Sequence, residues 1–170
     1  MNNLDKVFLI DGMALIYRSY YALIRNPLIS STGQQTSAIF GFINSLLKLI
    51  KDENPKYISV ILDTKAKTFR HAMYSEYKAT RKPMPDDLSE QIQPLFEILD
   101  SLKISMYKKD GFEADDLIGT ISDKFKTKNI ETYIYSSDKD LMQLVNKNTF
   151  VYSPGNSFIN QRIYDEKQVL

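Results

Sequence analysis

Acidic side chains follow the ends of four apolar, strand-like stretches of this sequence. Each stretch is short and is followed, at once or within a few residues, by one or more carboxylates. Because the carboxyl ends of parallel strands converge on one edge of an open α/β sheet, we expect these side chains to meet there. The seven candidates are Asp11, Asp63, Glu113, Asp115, Asp116, Asp138 and Asp140.

A cluster of carboxylates is chemically a cation site. Like charges held together raise one another's pKa values, and a bound metal ion relieves that repulsion. The chain has no cysteine and one histidine, His71, which argues against the usual zinc and iron sites. Hard, oxygen-liganded ions such as Mg²⁺ or Mn²⁺ match the donors. Hydrolytic centres use bridging carboxylates to hold two such ions about 4 Å apart.

Each acidic site also has a purely structural interpretation. Asp11 and the pair Asp138 and Asp140 precede predicted helices and could cap them. The acidic group at residues 113–116 could decorate the first turn of its helix. Asp63 has no obvious helix start to cap. A helix dipole is equivalent to about half a charge and does not need doubled or tripled acids, so the joint pattern favours a shared metal site.

The spacing within the acidic groups bears on which ion each carboxylate could serve. Asp115 and Asp116 are adjacent and leave a helix about 100° apart, so they can serve different ions. Glu113 would reach the site from the loop end or support another ligand. Asp138 and Asp140 are two apart in extended chain and point the same way, so both can face the ions.

A basic segment follows Asp63. Residues 64–82 contain six lysine or arginine side chains and one glutamate, in a chain whose formal net charge is +1. Such a segment beside an acidic cluster suits a polyanion held near bound metal ions. The alternative is a solvated, charged helix face, which is the usual interpretation of a charge run taken alone.

Strands and helices alternate along the chain and would position these residues. Apolar runs predict strands at residues 7–10, 57–62, 104–107, 132–135 and 150–152. Helical spacing predicts helices at residues 13–24, 39–52, 88–102, 114–125 and 141–145, and Pro94 should kink the third of these or reset its start. The expected fold is α/β, a three-layer sandwich around a mainly parallel sheet of about five strands.

Two segments are expected outside this core. Residues 65–82 have little apolar periodicity and end at Pro83 and Pro85, which predicts a surface excursion. Near the carboxyl end, residues 154–156 predict a turn before an extended segment at 158–163, giving a hairpin-like end. Length and composition suit one soluble globular domain. No apolar stretch reaches the roughly 18 residues of a membrane span, and the cytoplasm is the expected compartment.

Three groups of residues resemble the 5′ nuclease domain of bacterial DNA polymerase I and run in family order over nearly the whole chain. The first comprises Leu9, Ile10, Asp11, Gly12, Tyr17, Arg18 and Tyr20. The second comprises Leu62, Asp63, Lys65, Ala66, Lys67, Thr68, Phe69, Arg70, Tyr77, Lys78, Arg81, Pro83, Met84, Pro85 and Asp86. The third comprises Gly111, Glu113, Ala114, Asp115, Asp116, Ser137, Asp138, Lys139, Asp140, Leu141, Gln143 and Leu144.

The resemblance implies a PIN-like domain of the flap-endonuclease type over residues 1–170, which hydrolyses DNA phosphodiesters near a 5′ end with two Mg²⁺ or Mn²⁺ ions. On the family pattern, the first ion is held by Asp11, Asp63 and Asp115, with Glu113 assisting. The second is held by Asp116, Asp138 and Asp140, with Asp115 as a bridge. No side-chain nucleophile is then needed.

The same resemblance makes residues 64–85 an arch that a single-stranded 5′ end passes under or through. Arg70, Lys78 and Arg81 would bind phosphates and offset charge at the scissile one. Tyr17 would stack on a base beside the cut, with burial in the core as the alternative. His71 has no motif partner and is expected at the surface. The expected DNA-binding residues are Tyr17, Lys65, Lys67, Arg70, Tyr77, Lys78 and Arg81.

The family pattern continues past residue 170 with one more acidic motif and a helix-hairpin-helix element that grips duplex DNA. The expected partners are DNA with a 5′ end or flap and, in the native protein, a polymerase region that acts in replication and repair. One alternative is a DNA-binding module that does not cut, because the last metal ligands are missing. Another is a phosphatase of a different α/β family, which would need an aspartate where this chain has Met13.

Overall fold

The centre of the fold is a six-stranded sheet in the order β3-β2-β1-β4-β5-β6. A computed structural model describes residues 5–74, 76–128, 130–155 and 161–169. Strands β1 to β5 are parallel, and β6 pairs antiparallel with β5. The carboxyl ends of the parallel strands therefore share one edge, as predicted. The strands are β1 Lys6–Asp11, β2 Tyr57–Ile61, β3 Ser105–Tyr107, β4 Glu131–Tyr135, β5 Thr149–Ser153 and β6 Arg162–Tyr164.

Helices cover both faces of the sheet and make the predicted three-layer α/β sandwich. They are α1 Gly12–Ala22, α2 Ser37–Glu53, α3 Phe69–Met73, α4 Asp86–Ser101, α5 Ala114–Lys126, a 3₁₀ helix Asp140–Leu144 and α6 Glu166–Val169. Phe8 and Ile10 of β1 belong to the core under α1, α2 and α4. Val7 and Leu9 belong to the core under α5 and the 3₁₀ helix. Because β1 is buried on both faces, it has a continuous apolar sequence.

Helix α4 contains Pro94, as predicted. The helix runs without interruption from Asp86 to Ser101, so Pro94 does not reset its start. An internal proline removes one backbone hydrogen bond and costs about 3 kcal/mol. Burial of Leu88, Leu95 and Leu99, each 1% exposed or less, offsets that cost and holds the proline inside the helix.

The described part of the carboxyl end contains an antiparallel strand pair, β5 with β6. The structure places β6 at Arg162–Tyr164, with Val151 opposite Tyr164, which gives six strands rather than five. The predicted turn at residues 154–156 and extended segment at 158–163 overlap residues 156–160, which lie outside the described residues. Arg18 on α1 donates to the carbonyls of Pro154 and Gly155 at 3.0 and 2.6 Å and ties this end to the helical layer.

The basic segment is a surface excursion, as predicted. From here on the name covers residues 64–85, which include the closing prolines Pro83 and Pro85. Its one helix among the described residues is α3, which is five residues long and has no buried residue. Successive turns follow, and Lys78 takes a positive φ of 58°. The Phe69 amide donates to the Gly111 carbonyl at 3.2 Å, which ties the segment to the loop before α5.

Gly12 sets the distance between the first two strands and helix α1. A Cβ atom at this position would lie 2.9 Å from the Ile61 carbonyl oxygen and 2.5 Å from the side chain of Leu62. Glycine therefore lets α1 begin directly against the end of β2, which brings Asp11 towards Asp63. None of the helices in the described ranges is long and apolar enough to cross a membrane.

Candidate metal centre

Four of the seven predicted carboxylates lie within electrostatic range of one another at the carboxyl edge of the sheet. Asp11 ends β1, Asp63 follows β2, Asp115 lies in the first turn of α5 and Asp138 follows β4. Burial and, after it, the charges of Asp63 and Asp138 raise the pKa of Asp11. Burial and, after it, the charges of Asp11, Asp138, Asp63 and Glu113 raise the pKa of Asp115. The structure therefore brings together acids from four separate parts of the sequence.

Asp115 has the least favourable environment of the four. Burial is the main cause that raises its pKa to about 6, and the neighbouring carboxylates add to it. Within the described ranges, no hydrogen bond or ion pair reaches its carboxylate. A partly buried acid surrounded by other acids is a position where a cation would be strongly stabilising.

Asp11 and Asp63 are held by hydrogen bonds that also make them helix caps. Asp11 is the N-cap of α1 and accepts from the Ala14 amide at 3.1 Å. The Ser136 hydroxyl donates to its other oxygen at 2.9 Å, yet burial still raises the pKa of Asp11. Asp63 accepts from the Ala114 amide at the start of α5 at 2.8 Å. Capping and membership of the acidic cluster are thus combined in the same residues.

Ser136 was not among the residues that the sequence singled out. It is buried, and its oxygen both donates to Asp11 and accepts from the Asp138 amide at 3.0 Å. Asp138 in turn accepts from the Asp140 amide at 2.9 Å. The one signal in the sequence is its place directly after the strand that leads to Asp138.

Glu113 and Asp116 are paired with cations of the basic segment. Arg70 donates to both oxygens of Asp116 at 2.7 and 2.8 Å and holds the pKa of that carboxyl below its usual range. Lys78 donates to one oxygen of Glu113 at 2.7 Å, and the Tyr77 hydroxyl donates to the other at 3.1 Å. These two acids also cap α5 reciprocally, so the basic segment is attached to the start of that helix.

The seven acids at the carboxyl edge of the sheet are called the acidic edge below. Their oxygens are suitable ligands for a hard divalent ion, but they do not enclose one. The donors are all carboxylate oxygens, and Asp115 has no partner of its own. In this arrangement, no three acidic or histidine side chains within the described ranges converge tightly enough to bind a metal ion. Asp140 lines a cavity of about 760 Å³ together with Glu113, Asp115 and Asp116. To bind an ion, Asp116 would have to leave Arg70, and Glu113 would have to leave Lys78.

The remaining predicted DNA-binding residues lie beside this edge. Lys65, Lys67 and Arg81 are exposed, and none has an ion-pair partner among the described residues. Tyr17 is partly buried, packs against the core and stacks on Tyr21 with ring centroids 6.3 Å apart. Burial raises its pKa, and the nearby charge of Arg81 partly opposes that rise.

His71 lies half-buried on the surface segment and has partners that the sequence did not indicate. Its Nδ1 atom accepts a hydrogen bond from the Thr68 amide at 3.1 Å, and its ring packs edge-on against Tyr77 with centroids 5.3 Å apart. It is therefore part of the local structure of the basic segment rather than a free surface residue.

A parallel α/β sheet with acids at its carboxyl edge and a basic excursion beside them defines a PIN-like domain of the flap-nuclease type. The chain belongs to the family described as 5′-3′ exonuclease, N-terminal resolvase-like domain, whose model matches residues 6–170. The resemblance found in the sequence is thereby confirmed.

Relatives and solved structures agree with this assignment. The chain is 40% identical over 164 residues to a 5′-3′ exonuclease of Aquifex aeolicus, covering 96% of this chain and 55% of that protein. It is 40% identical over 152 residues to DNA polymerase I of Bacillus subtilis, covering 89% of this chain and 17% of the polymerase. The chain thus spans about half of the exonuclease and a small part of the polymerase.

Two solved structures share the fold at low identity. T5 5′-exonuclease with bound zinc ions superposes with a TM-score of 0.68 at 18% identity, over 94% of this chain and 58% of that chain. The catalytic core of Rad2 in complex with a DNA substrate superposes with a TM-score of 0.56 at 18% identity, over 98% and 49%. At this identity the likeness establishes the fold.

Proposed function

We propose that this chain is the catalytic part of a divalent-metal-dependent 5′-3′ exonuclease and flap endonuclease that cuts DNA near 5′ ends, acting in the cytoplasm in replication and repair. The observation that carries the proposal is the group Asp11, Asp63, Asp115 and Asp138 beside the cations Arg70 and Lys78. The names of the relatives and membership of the family support the same activity.

The chain's acids divide into two groups that would hold two Mg²⁺ or Mn²⁺ ions. Asp11, Asp63 and Asp115 would hold the first, and their mutual repulsion supports this. Asp116, Asp138 and Asp140 would hold the second, with Glu113 assisting the first and Asp115 between them. When bound, such ions lower the pKa of a coordinated water and stabilise charge on phosphate oxygens.

The basic segment would serve as the arch that receives a 5′ strand. Phosphate and carboxylate compete for the same guanidinium geometry, so a DNA phosphate can take Arg70 from Asp116 and Lys78 from Glu113. That exchange would hold the phosphate over the acidic edge and would release two acids as ligands. Arg81, Lys65 and Lys67 would bind neighbouring phosphates, Tyr77 would lie along the strand, and the exposed part of Tyr17 would stack on a base.

Cleavage of a labelled 5′-flap DNA with Mg²⁺ tests the proposal. Asp63→Asn should reduce cleavage at least about 100-fold, a loss of the size expected when a group that positions transition-state charge is removed. The asparagine oxygen can still accept from the Ala114 amide, so folding should be retained. Asp123→Asn, at an exposed position on α5, is the matched control and should cut like the parent. Full activity in Asp63→Asn would refute the site.

A DNA-binding module that does not cut is the second candidate. The pairing of Asp116 with Arg70 and of Glu113 with Lys78 favours it, because these acids are not free to bind a second ion. The 170-residue chain itself, assayed on the same flap, decides between the two. Metal-dependent product excludes the binding module, whereas a shifted complex without product over a Mg²⁺ and Mn²⁺ series supports it.

A further inference from the structure

The helix that carries Arg70 is held at its first turn by an unusual residue. In a capping box, the side chain three residues after a Ser or Thr N-cap accepts from the N-cap amide, and that side chain is ordinarily Glu or Gln. Here the N-cap is Thr68 and the acceptor is the imidazole of His71, with Nδ1 at 3.1 Å from the Thr68 nitrogen. Nδ1 also lies 2.9 Å from the Thr68 hydroxyl oxygen.

His71 also contacts the part of the basic segment that follows α3. Its ring meets the Tyr77 ring at an interplanar angle of 89°, and Tyr77 donates to Glu113. One side chain thus links the turn before Arg70 with the turn that carries Lys78. These are the two cations that reach the acidic edge.

Helix α3 is held from outside at two of its residues. It has five residues, and none of them is buried. The Phe69 amide donates to Gly111, and the Phe69 ring meets the Phe112 ring with centroids 6.0 Å apart. The Arg70 guanidinium is paired with Asp116. An isolated turn of this length is not stable on its own, so the capping box helps to hold the backbone from which Arg70 reaches its partner.

We propose that His71 is a positioning residue of the basic segment: its imidazole, accepting at Nδ1, fixes the first turn of α3 and Tyr77 so that Arg70 and Lys78 meet the acidic edge. Nδ1 can accept only while it carries no proton, so the proton of the neutral ring belongs on Nε2. The titratable groups that face the ring are the Tyr77 hydroxyl and Lys67, which lines the same cavity, and Arg70 is its neighbour in the chain. The proposal concerns the folded segment and does not depend on the nuclease activity.

The chain contains a single histidine, so imidazole signals report on this residue alone. Nuclear magnetic resonance of the full chain labelled with ¹⁵N-histidine at pH 8 should show Nδ1 as the unprotonated nitrogen and Nε2 as the protonated one. A ring protonated at Nδ1, or one that exchanges between both forms as free histidine does, would overturn the proposal.

Limited trypsin digestion without metal tests the positioning itself, with cleavage after Arg70 followed by mass spectrometry. His71→Ala should be cut there about fivefold faster than the parent, as expected for the loss of one cap. His71→Gln restores the usual capping box and should be cut at the parent's rate at pH 8. Recovery in His71→Gln separates the loss of the cap from a general effect of removing the ring.

Cleavage after Lys124, in the last turn of α5, is the internal control and should occur at the same rate in all three proteins. Equal rates at Arg70 in parent, Ala and Gln variants would overturn the proposal, as would a Gln variant that is cut as fast as the Ala variant. If His71→Ala unfolded as a whole, cleavage after Lys124 would rise with it, and the comparison of parent with His71→Gln, together with the protonation of the ring nitrogens, would decide.

Discussion

At the scale of single residues, the carboxylate of Asp115 makes the strongest case for a bound cation. Asp11 receives two hydrogen bonds, Asp63 receives one, and Asp116 is paired with Arg70. Burial and the charges of four neighbouring carboxylates disfavour ionisation of Asp115. A group in that position lowers the stability of the folded protein whenever it is ionised.

Asp115→Asn should therefore raise the melting temperature of the metal-free protein at pH 7. The pKa of Asp115 is about 6 in the folded protein and 3.8 ordinarily, so stability falls as pH rises through that window. Discounted for partial exposure, the relief is about 1 kcal/mol, which corresponds to roughly 2–4 °C in a domain of this size.

The pH dependence separates this electrostatic effect from a gain in stability that does not depend on the charge of Asp115. Thermal melts in EDTA should show the advantage of Asp115→Asn over the parent at pH 7 and its disappearance below about pH 4, where the parent acid is protonated as well. Asp123→Asn should show no such pH-dependent difference. An asparagine variant that is less stable than the parent at pH 7 would contradict the electrostatic argument.

At the scale of elements, the close approach of α1 to β2 depends on Gly12. A Cβ atom there would lie 2.9 Å from a backbone oxygen, which cannot move aside as a side chain can. Gly12→Ala should destabilise the protein by about 1–3 kcal/mol, the usual cost of overpacking, as measured by chemical denaturation.

A second glycine in a helix provides the matched control. At Gly119 in α5, a Cβ atom would meet Leu144 at 3.5 Å, an ordinary contact. Gly119→Ala should leave stability unchanged or raise it by about 0.5–1 kcal/mol, since alanine favours helix. Equal losses in both variants would show that α1 does not depend on the approach at Gly12.

The basic segment and α5 share a contact that should couple cation binding to the position of the segment. Arg70→Ala removes the partner of Asp116 and leaves that acid free. Mg²⁺ should then stabilise the variant at a several-fold lower concentration than it stabilises the parent, because the ion no longer competes with a bidentate pair. Flap cleavage should nevertheless fall, because the phosphate loses a cation.

Melting temperatures over a Mg²⁺ series, measured beside the cleavage rates, test this opposite response. Lys82→Ala, which removes an exposed cation from the same segment, should leave the Mg²⁺ midpoint where it is in the parent. A higher Mg²⁺ requirement in Arg70→Ala would show that the guanidinium supports the ion instead of competing with it.

The elements were easier to predict than their contacts. The apolar run at residues 7–10 predicted β1 because both faces of that strand are buried, and burial is what a hydropathy pattern records. The bond between Asp63 and Ala114 joins residues 51 positions apart and depends on where α5 begins in space. The capping role of His71 was also missed, because a capping box is ordinarily completed by Glu or Gln. The alternative of a new helix start at Pro94 was wrong, because packing of α4 offsets the helical penalty of the proline.

At the scale of the whole molecule, the acidic edge is a local concentration of charge in a chain that is nearly neutral overall. Helices on both faces of the sheet contribute to this negative charge. Asp11 caps α1 on one face, and Asp115 lies in the first turn of α5 on the other. Repulsion between these acids acts across the sheet and opposes the packing of the two layers on it. An ion bound there would therefore stabilise the fold as a unit.

Mg²⁺ should raise the melting temperature of the metal-free chain for this reason. Preferential binding to the folded state adds about 1.4 kcal/mol at ten times the dissociation constant, and each kcal/mol is worth roughly 2–4 °C here. The measurement is a thermal melt over a Mg²⁺ titration, with KCl at matched ionic strength to remove general screening. Asp63→Asn and Asp115→Asn should each lose most of the rise, whereas Asp123→Asn should keep it. Melting that does not change with Mg²⁺, or changes equally with KCl, would show that the edge forms no specific ion site in this chain.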